Sequence, residues 1–198
     1  MPIEIVEGSP RFHSQIPRFV LDSGEGINRA ILGRNPESFL SSVYRKKHGY
    51  YSYRRSFIAE CDGKKAAGCI FALDYAIIKR EYIHEIFIHL SHPIVLLRQM
   101  KSLLDAEQII KSVGAGDCYV THLAVLPEYR SQGLGARLLD KTTDFYRDRG
   151  CVRLLLDVDT DNEGGIRFYR RYGLSMIQER AVVIGRNRFH LTRMGMNI

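Results

Sequence analysis

The spacing of apolar positions along this chain predicts an alternation of strands and helices rather than one repeated pattern. Ile3, Ile5 and Val6 predict a short strand over 2–7. Gly8-Ser9-Pro10 turns it, with Ser9 as helix N-cap and Pro10 at the first helical position. Phe12, Ile16, Phe19 and Val20 form the stripe of that helix, which is expected to end near Gly24. Ile27, Ile31 and Leu32 predict a second helix, and Phe39, Leu40, Val43 and Tyr44 a third over 36–47. A strand over 53–61, a hairpin turn at Asp62-Gly63 and a returning strand over 65–75 follow. The returning strand is an almost unbroken apolar run, which predicts burial on both faces.

The stretch 79–116 is less regular. Tyr82, Ile83, Ile86, Phe87 and Leu90 suggest a helix or an irregular insert, and Pro93 opens another helix through Leu96, Leu97, Met100, Leu103 and Leu104. This part is expected to be core, with a dimer surface or a ligand pocket as alternatives. Beyond it, Val120, Leu123 and Val125 predict a strand that Pro127 stops. Leu134, Leu138, Leu139, Thr142 and Phe145 recur at helical spacing up to Gly150, placed as the C-cap glycine. Val152–Val158 reads as a buried strand, Asn162 as the cap of a last helix, and 176–194 as two closing strands. The order β-αα-ββ-α-β-α-β-α-ββ predicts an α/β class, a mixed sheet with helices on both faces, in one domain over 1–198.

Composition adds exclusions. The apolar fraction is ordinary for a globular chain of 198 residues. No apolar run reaches the ~18 residues of a membrane helix, and the N-terminal MPIEIVEGSPRF does not read as a signal peptide. Cys61, Cys69, Cys118 and Cys151 are scattered and form no C-x-x-C, so four reduced, buried thiols in a cytoplasmic protein are expected. His84, His89 and His92 match no common zinc spacing, and no metal is expected. The net charge of +7 is spread over short basic pairs, so a nucleic-acid partner is a minority reading.

The stretch YVTHLAVLPEYRSQGLGARLLDKTTDFYRDRG, from Tyr119 to Gly150, carries the chemistry. A strand, a glycine turn and a helix start make an anion site. The first helical N–H groups lack internal partners, and glycine lets a phosphate approach the backbone. Arg130 and Arg137 add charge. No P-loop G-x-x-x-x-G-K-[ST] exists. A Rossmann G-x-G-x-x-G would use Gly133 and Gly135 with Asp157 as ribose ligand, but Leu138 replaces its third glycine and the 126–132 turn is long.

Arg130-Ser131-Gln132-Gly133-Leu134-Gly135, preceded by LAVLPEYR and followed by ARLL, resembles the pyrophosphate loop of the GNAT superfamily, the acyl-CoA-dependent N-acetyltransferases. A second stretch, Asp159 to Leu174, resembles that family's later motif, with Gly165 where Ala is usual and Leu174 where Phe is usual. Together the motifs cover roughly the C-terminal half of the chain.

The resemblance implies acetyl transfer from acetyl-CoA to a primary amine, by direct attack and without a covalent enzyme intermediate. It implies acetyl-CoA in a gap between two splayed parallel strands, with the pantetheine arm on Leu123 and Val125. The amides of Arg130, Ser131, Gln132, Gly133, Leu134, Gly135 and Ala136 would hold the pyrophosphate, and Asn162 the pantetheine region. Tyr169 is the implied general acid and His122 a candidate base, with Glu25 a candidate for the acceptor ammonium. For Tyr169 the competing reading is a core tyrosine, for His122 a packed histidine on the far face, and for Glu25 a solvated loop acid. A non-catalytic acyl-CoA-binding module is the alternative function, no membrane partner is expected, and a homodimer is left open.

Overall fold

Every residue from Ala66 to Leu73 is buried, because the strand that carries them lies in the middle of a sheet covered on both sides. In this computed structural model the described residues are 3–33, 35–90, 101–102, 104–106 and 108–198, with 83 and 86–90 described by backbone alone. Of the helix expected from Pro93 through Leu104, residues 93–100 and 103 lie outside the described residues, as do the side chains of His89 and His92, while 101–102 and 104 are helical.

The strands are β1 (Ile3–Glu7), β2 (Ser56–Cys61), β3 (Lys65–Asp74), β4 (Asp117–Val125), β5 (Arg153–Asp159), β6 (Ser175–Ile184) and β7 (Asn187–Asn197). The helices are α1 (Ile16–Asp22), α2 (Glu25–Leu32), α3 (Glu37–Tyr44), α4 (Tyr75–Leu90), α5 (Leu134–Arg147) and α6 (Glu163–Tyr172). Residues 104–106 and 108–110 are also helical. The sheet order is β1-β2-β3-β4-β5-β7-β6. Among the described strands only β4 and β5 pair in parallel, with α5 as their crossover. A Rossmann sheet would need a series of parallel strands, so that alternative is excluded.

One face packs Leu138, Leu139 and Tyr146 of α5 onto Ile70, Val120, Leu154 and Leu156. The other packs Phe12, Ile16, Val20, Leu40 and Tyr44 onto Ile58, Cys69 and Phe71. Asp62 (φ 55°) and Gly63 (φ 68°) are both left-handed, the signature of a tight hairpin turn between β2 and β3. All four cysteines are free and buried.

The first helix departs from the expectation. Ser9 makes no side-chain cap, and Pro10–Phe12 is only a 3₁₀ turn. Pro17 is the reason: it has no N–H and its ring excludes a preceding helical carbonyl, so it must sit in a first turn. The helix restarts at Ile16 and runs to Asp22. No helix among the described residues is long and apolar enough to cross a membrane.

Candidate active site

The parallel pairing of β4 and β5 runs only from Asp117↔Arg153 to Val120↔Leu156. Beyond it β5 continues along β7 to Asp159, while Thr121–Val125 stays on β3. The strands splay, and the edge of Thr121–Val125 that faces β5 carries backbone groups with no strand partner. Leu123, Ala124 and Val125 line the resulting cavity of about 1250 Å³.

A bulge decides which side chains enter it. Phe71 pairs with His122 and Ala72 with Val120, so Thr121 is an extra residue. Val120, Leu123 and Val125 face the α5 side. Tyr119, His122 and Ala124 face the opposite side, where His122 Nδ1 meets Ser23 Oγ at 3.0 Å. The imidazole stacks on Tyr51 at 5.6 Å between ring centroids. Burial pulls its pKa down to about 4, so the ring is neutral near pH 7.

The glycine turn sits at the start of α5. Ser131 (φ 60°) and Gly133 (φ 76°) are left-handed, which curls the N–H groups toward one side. The first helical hydrogen bond is Arg137 N–H to the Gly133 carbonyl, which leaves the N–H groups of Leu134, Gly135 and Ala136 for a ligand. Those N–H groups carry the positive end of a 14-residue helix. The two arginines are held by backbone: Arg130 Nε donates to the Val125 carbonyl at 3.0 Å, and Arg137 Nη2 to the Ile3 carbonyl at 2.6 Å. Arg137 is thus a clamp on β1.

Helix α6 lies beside that turn. Asn162 caps it, with Oδ1 accepting the Gly165 N–H at 2.9 Å. A Cβ at Gly165 would lie 2.9 Å from Asn162 Nδ2, which explains glycine where alanine is expected. Phe168 lies over Gly135, and Tyr169 points into the same cavity. Among the described residues the Tyr169 hydroxyl has no hydrogen-bond partner, and burial pushes its pKa up to about 12. The phenol is a proton carrier at any physiological pH.

The cavity also holds an acid that sequence reading overlooked. Glu85 of α4 is buried and accepts the Tyr50 N–H. Burial pushes its pKa up to about 7, and the charge of Glu81 adds to the rise, against the pull of that N–H. Asp157 binds Tyr119 Oη (2.9 Å), Arg180 (2.6 Å) and Arg193 (2.7 Å), which seals the floor of the strand gap. Burial first, then Asp157, hold the Tyr119 phenol well above its usual range. Glu25, at the start of α2, lies on the rim, exposed and paired with Arg29 at 2.9 Å. One signal for Glu85 was available: Glu81 and Glu85 are an i, i+4 pair of acids inside an apolar helical run.

His84 stacks on His48, with centroids 4.3 Å apart and planes 9° from parallel, beside Glu81. Glu81 is also bonded to Arg55 at 2.7 Å and to the Gly49 N–H. Burial opposes its charge, but these partners outweigh burial and hold its carboxyl below the usual range. The cluster is an anchor between α4 and the 48–55 loop.

The family model described as the acetyltransferase (GNAT) family matches residues 27–174. N-alpha-acetyltransferase 30 of Schizosaccharomyces pombe is 36% identical over 55 residues, which cover 28% of this chain and 37% of the relative. Thialysine N-epsilon-acetyltransferase of Bos taurus is 33% identical over 61 residues, 31% of this chain and 36% of the relative. The chain thus spans little more than a third of either relative. The crystal structure of an N-acetyltransferase from Staphylococcus aureus Mu50 superposes with a TM-score of 0.66 at 16% identity, covering 98% of this chain and 100% of the other. At that identity the likeness is one of fold.

Proposed function

The chain belongs to the acetyltransferase (GNAT) family, and on that premise we propose that it moves an acetyl group from acetyl-CoA to a primary amine by direct attack in a ternary complex. The observation that carries this reading is the continuity of one cavity. It runs from the edge of Thr121–Val125 that has no strand partner to the N–H groups at the start of α5. A pyrophosphate fits those N–H groups, and an extended amide-bearing arm fits the strand edge.

In this reading the N–H groups of Leu134, Gly135 and Ala136, with the turn from Arg130 to Gly133, hold the pyrophosphate. The backbone of Leu123 and Val125 pairs with the pantetheine arm, and a strand N–H polarises the thioester carbonyl. Asn162 keeps α6 in register at the pantetheine. The amine nitrogen attacks the carbonyl carbon, the C–S bond breaks, and sulfur leaves with the electron pair. Tyr169 gives that sulfur its proton.

His122 is the less suited base. Its pKa of about 4 makes it a weak acceptor for an ammonium proton. Its neutral ring, fixed on Ser23, serves better as a hydrogen-bonding wall of the acceptor arm. Glu25, on the rim, would meet the acceptor only on entry. We place the activity in the whole of 1–198 as one unit, in the cytoplasm, where four free buried thiols are at home.

Calorimetric titration with acetyl-CoA, CoA and NAD tests this, followed by thiol release with an amine panel. One acetyl-CoA bound per chain, no NAD binding, and amine-dependent thiol release are expected. Absence of binding to both CoA species would overturn the reading.

A further inference from the structure

Ser23 caps the C-terminal end of α1 and reaches across to β4. Its hydroxyl oxygen lies 2.7 Å from the Val20 carbonyl oxygen and 3.0 Å from Nδ1 of His122. Two oxygens 2.7 Å apart need a proton between them, and a carbonyl carries none. Ser23 therefore donates to Val20, and its single proton is used there. Asn28 Nδ2 donates to the same carbonyl at 2.6 Å and holds it in place. The contact with His122 is then a hydrogen bond only if Nδ1 carries the ring proton. The helix end thus sets the tautomer: Nδ1–H donates to Ser23 Oγ, and Nε2 keeps a lone pair.

The ring is stacked on Tyr51 and edge-on to Phe71, with centroids 5.6 and 5.9 Å away. Nε2 has no hydrogen-bond partner among the described residues and opens onto the cavity that the ring lines. Burial keeps the ring neutral near pH 7, so the lone pair is not lost to a proton. Its place follows from the strand. His122 directly precedes Leu123, a Cα step of about 3.8 Å, on the stretch where β4 leaves β5. Its side chain leaves on the face opposite Leu123, toward the end of α1. Nε2 thus stands within one side-chain length of the strand edge proposed to hold the thioester. The acids on this side have partners of their own. Asp22 has Arg18 at 3.6 Å, Glu25 has Arg29 at 2.9 Å, and Asp157 has Arg180 and Arg193. Asp159 accepts the Asp161 N–H at 3.0 Å, and Glu85, beyond Tyr51, accepts the Tyr50 N–H. Among the described residues no carboxylate bonds to the imidazole, so what the ring presents to the gap is a neutral acceptor.

We propose that Ser23 is a positioning residue that fixes His122 as the Nδ1–H tautomer, and that the bare Nε2 accepts an N–H of the attacking primary amine. This deepens the acetyltransferase reading and rests on it. An amine attacks through its one lone pair, so its N–H bonds must point away from the carbonyl carbon. An acceptor that takes one of those N–H groups turns the lone pair toward the thioester. The other tautomer would set an N–H at the same place, and it would repel the amine hydrogens or draw the lone pair to the ring. His122 holds a hydrogen in this role and does not take the proton, which suits a ring that stays neutral down to about pH 4. Of the two hydrogens of the free amine, one leaves after attack and replaces the proton that Tyr169 gives to sulfur. The other, held on Nε2, stays on the product amide. A secondary amine or an alcohol has only the hydrogen that must leave, so the arrangement selects primary amines.

Two measurements on the full chain test this. The first is a long-range proton–nitrogen NMR spectrum of the histidine rings near neutral pH, with His122 assigned by its loss in His122→Phe. The ring is expected to be protonated at Nδ1 in the parent and in Ser23→Thr, and at Nε2 in Ser23→Ala, the form a free imidazole side chain favours. A parent ring protonated at Nε2 overturns the proposal. The second is thiol release from acetyl-CoA with the fastest of phenethylamine, spermidine and a short peptide with a free N-terminus. Ser23→Ala and His122→Phe are each expected to lower kcat/KM about tenfold, the scale of one lost hydrogen bond, with the Kd for acetyl-CoA unchanged. Ser23→Thr should keep the parental value. Ser23→Ala should cost nothing more in a His122→Phe chain, because it acts through the ring. N-methylation of the acceptor amine should cost the parent more than it costs His122→Phe. Parental kcat/KM in Ser23→Ala overturns the proposal, as do losses that add in the double variant. Thiol release with none of the three amines, in a chain that binds acetyl-CoA, overturns it as well and leaves the cofactor reading standing. If acetyl-CoA does not bind, the acetyltransferase reading falls and takes the proposal with it.

Discussion

The ring of Phe168 lies over Gly135, so close that a Cβ on Gly135 would stand 2.9 Å from Phe168 Cζ. The glycine turn and the later motif, which are separate in sequence, meet at this contact. It fixes the start of α5 against α6 and so sets the glycine turn relative to Tyr169.

Gly135→Ala tests that contact. In an open helix alanine for glycine stabilises by about 1 kcal/mol. Here the gain should be lost to displacement of the Phe168 ring, and the Kd for acetyl-CoA should rise about tenfold or more, a change of ~1.4 kcal/mol. Adding Phe168→Leu should restore stability without restoring affinity, read as a double-mutant cycle. A Gly135→Ala chain that is more stable and binds normally would show that no ligand approaches this turn.

Tyr169→Phe separates chemistry from packing. The hydroxyl makes no hydrogen bond among the described residues, so its removal should leave the melting temperature unchanged. Turnover should fall about 100-fold, with acetyl-CoA affinity kept. Weakened affinity with unchanged turnover would assign Tyr169 to packing.

Glu85 should cost the fold stability at neutral pH. Its folded pKa of about 7 lies above its ordinary 4.5, so the folded chain keeps a proton that the unfolded chain has released. Stability should therefore fall as pH rises through this window, by about 1.4 kcal/mol per unit and ~3 kcal/mol in all. Glutamine accepts the Tyr50 N–H as glutamate does. Urea unfolding should find Glu85→Gln equal to the parent near pH 4 and more stable at pH 8. Parallel curves would mean that the carboxylate is solvated.

His122 should act in the opposite direction. Its folded pKa of about 4 lies below its ordinary 6.5, so the unfolded chain takes up a proton that the folded chain refuses. Stability should be lost as pH falls below 6.5, at about 1.4 kcal/mol per unit down to 4. His122→Gln keeps a partner for Ser23 and should flatten the profile between pH 7.5 and 5. An unchanged profile would place the ring in water.

The chain's own pattern determined most of its elements and the place of the glycine turn before α5, because the signals are local. The apolar run of β3 needs no partner to be read, the Asp62-Gly63 turn is set by two backbone angles, and Gly133 and Asn162 mark helix starts within a few residues of themselves. Pro17 was legible in the same way, and the break it imposes before α1 follows from its missing N–H. The tertiary structure alone decided what faces the cavity. The extra residue Thr121 turns His122 to the side of Ser23, and a bulge is a property of two strands, set by β3 against β4. Glu85 becomes a buried acid because α4 folds back onto Tyr50, and Asp157 is enclosed because Arg180 and Arg193 reach it from β6 and β7. Side-chain direction, burial and charge pairing are long-range quantities, and spacing along one strand or helix carries no record of them.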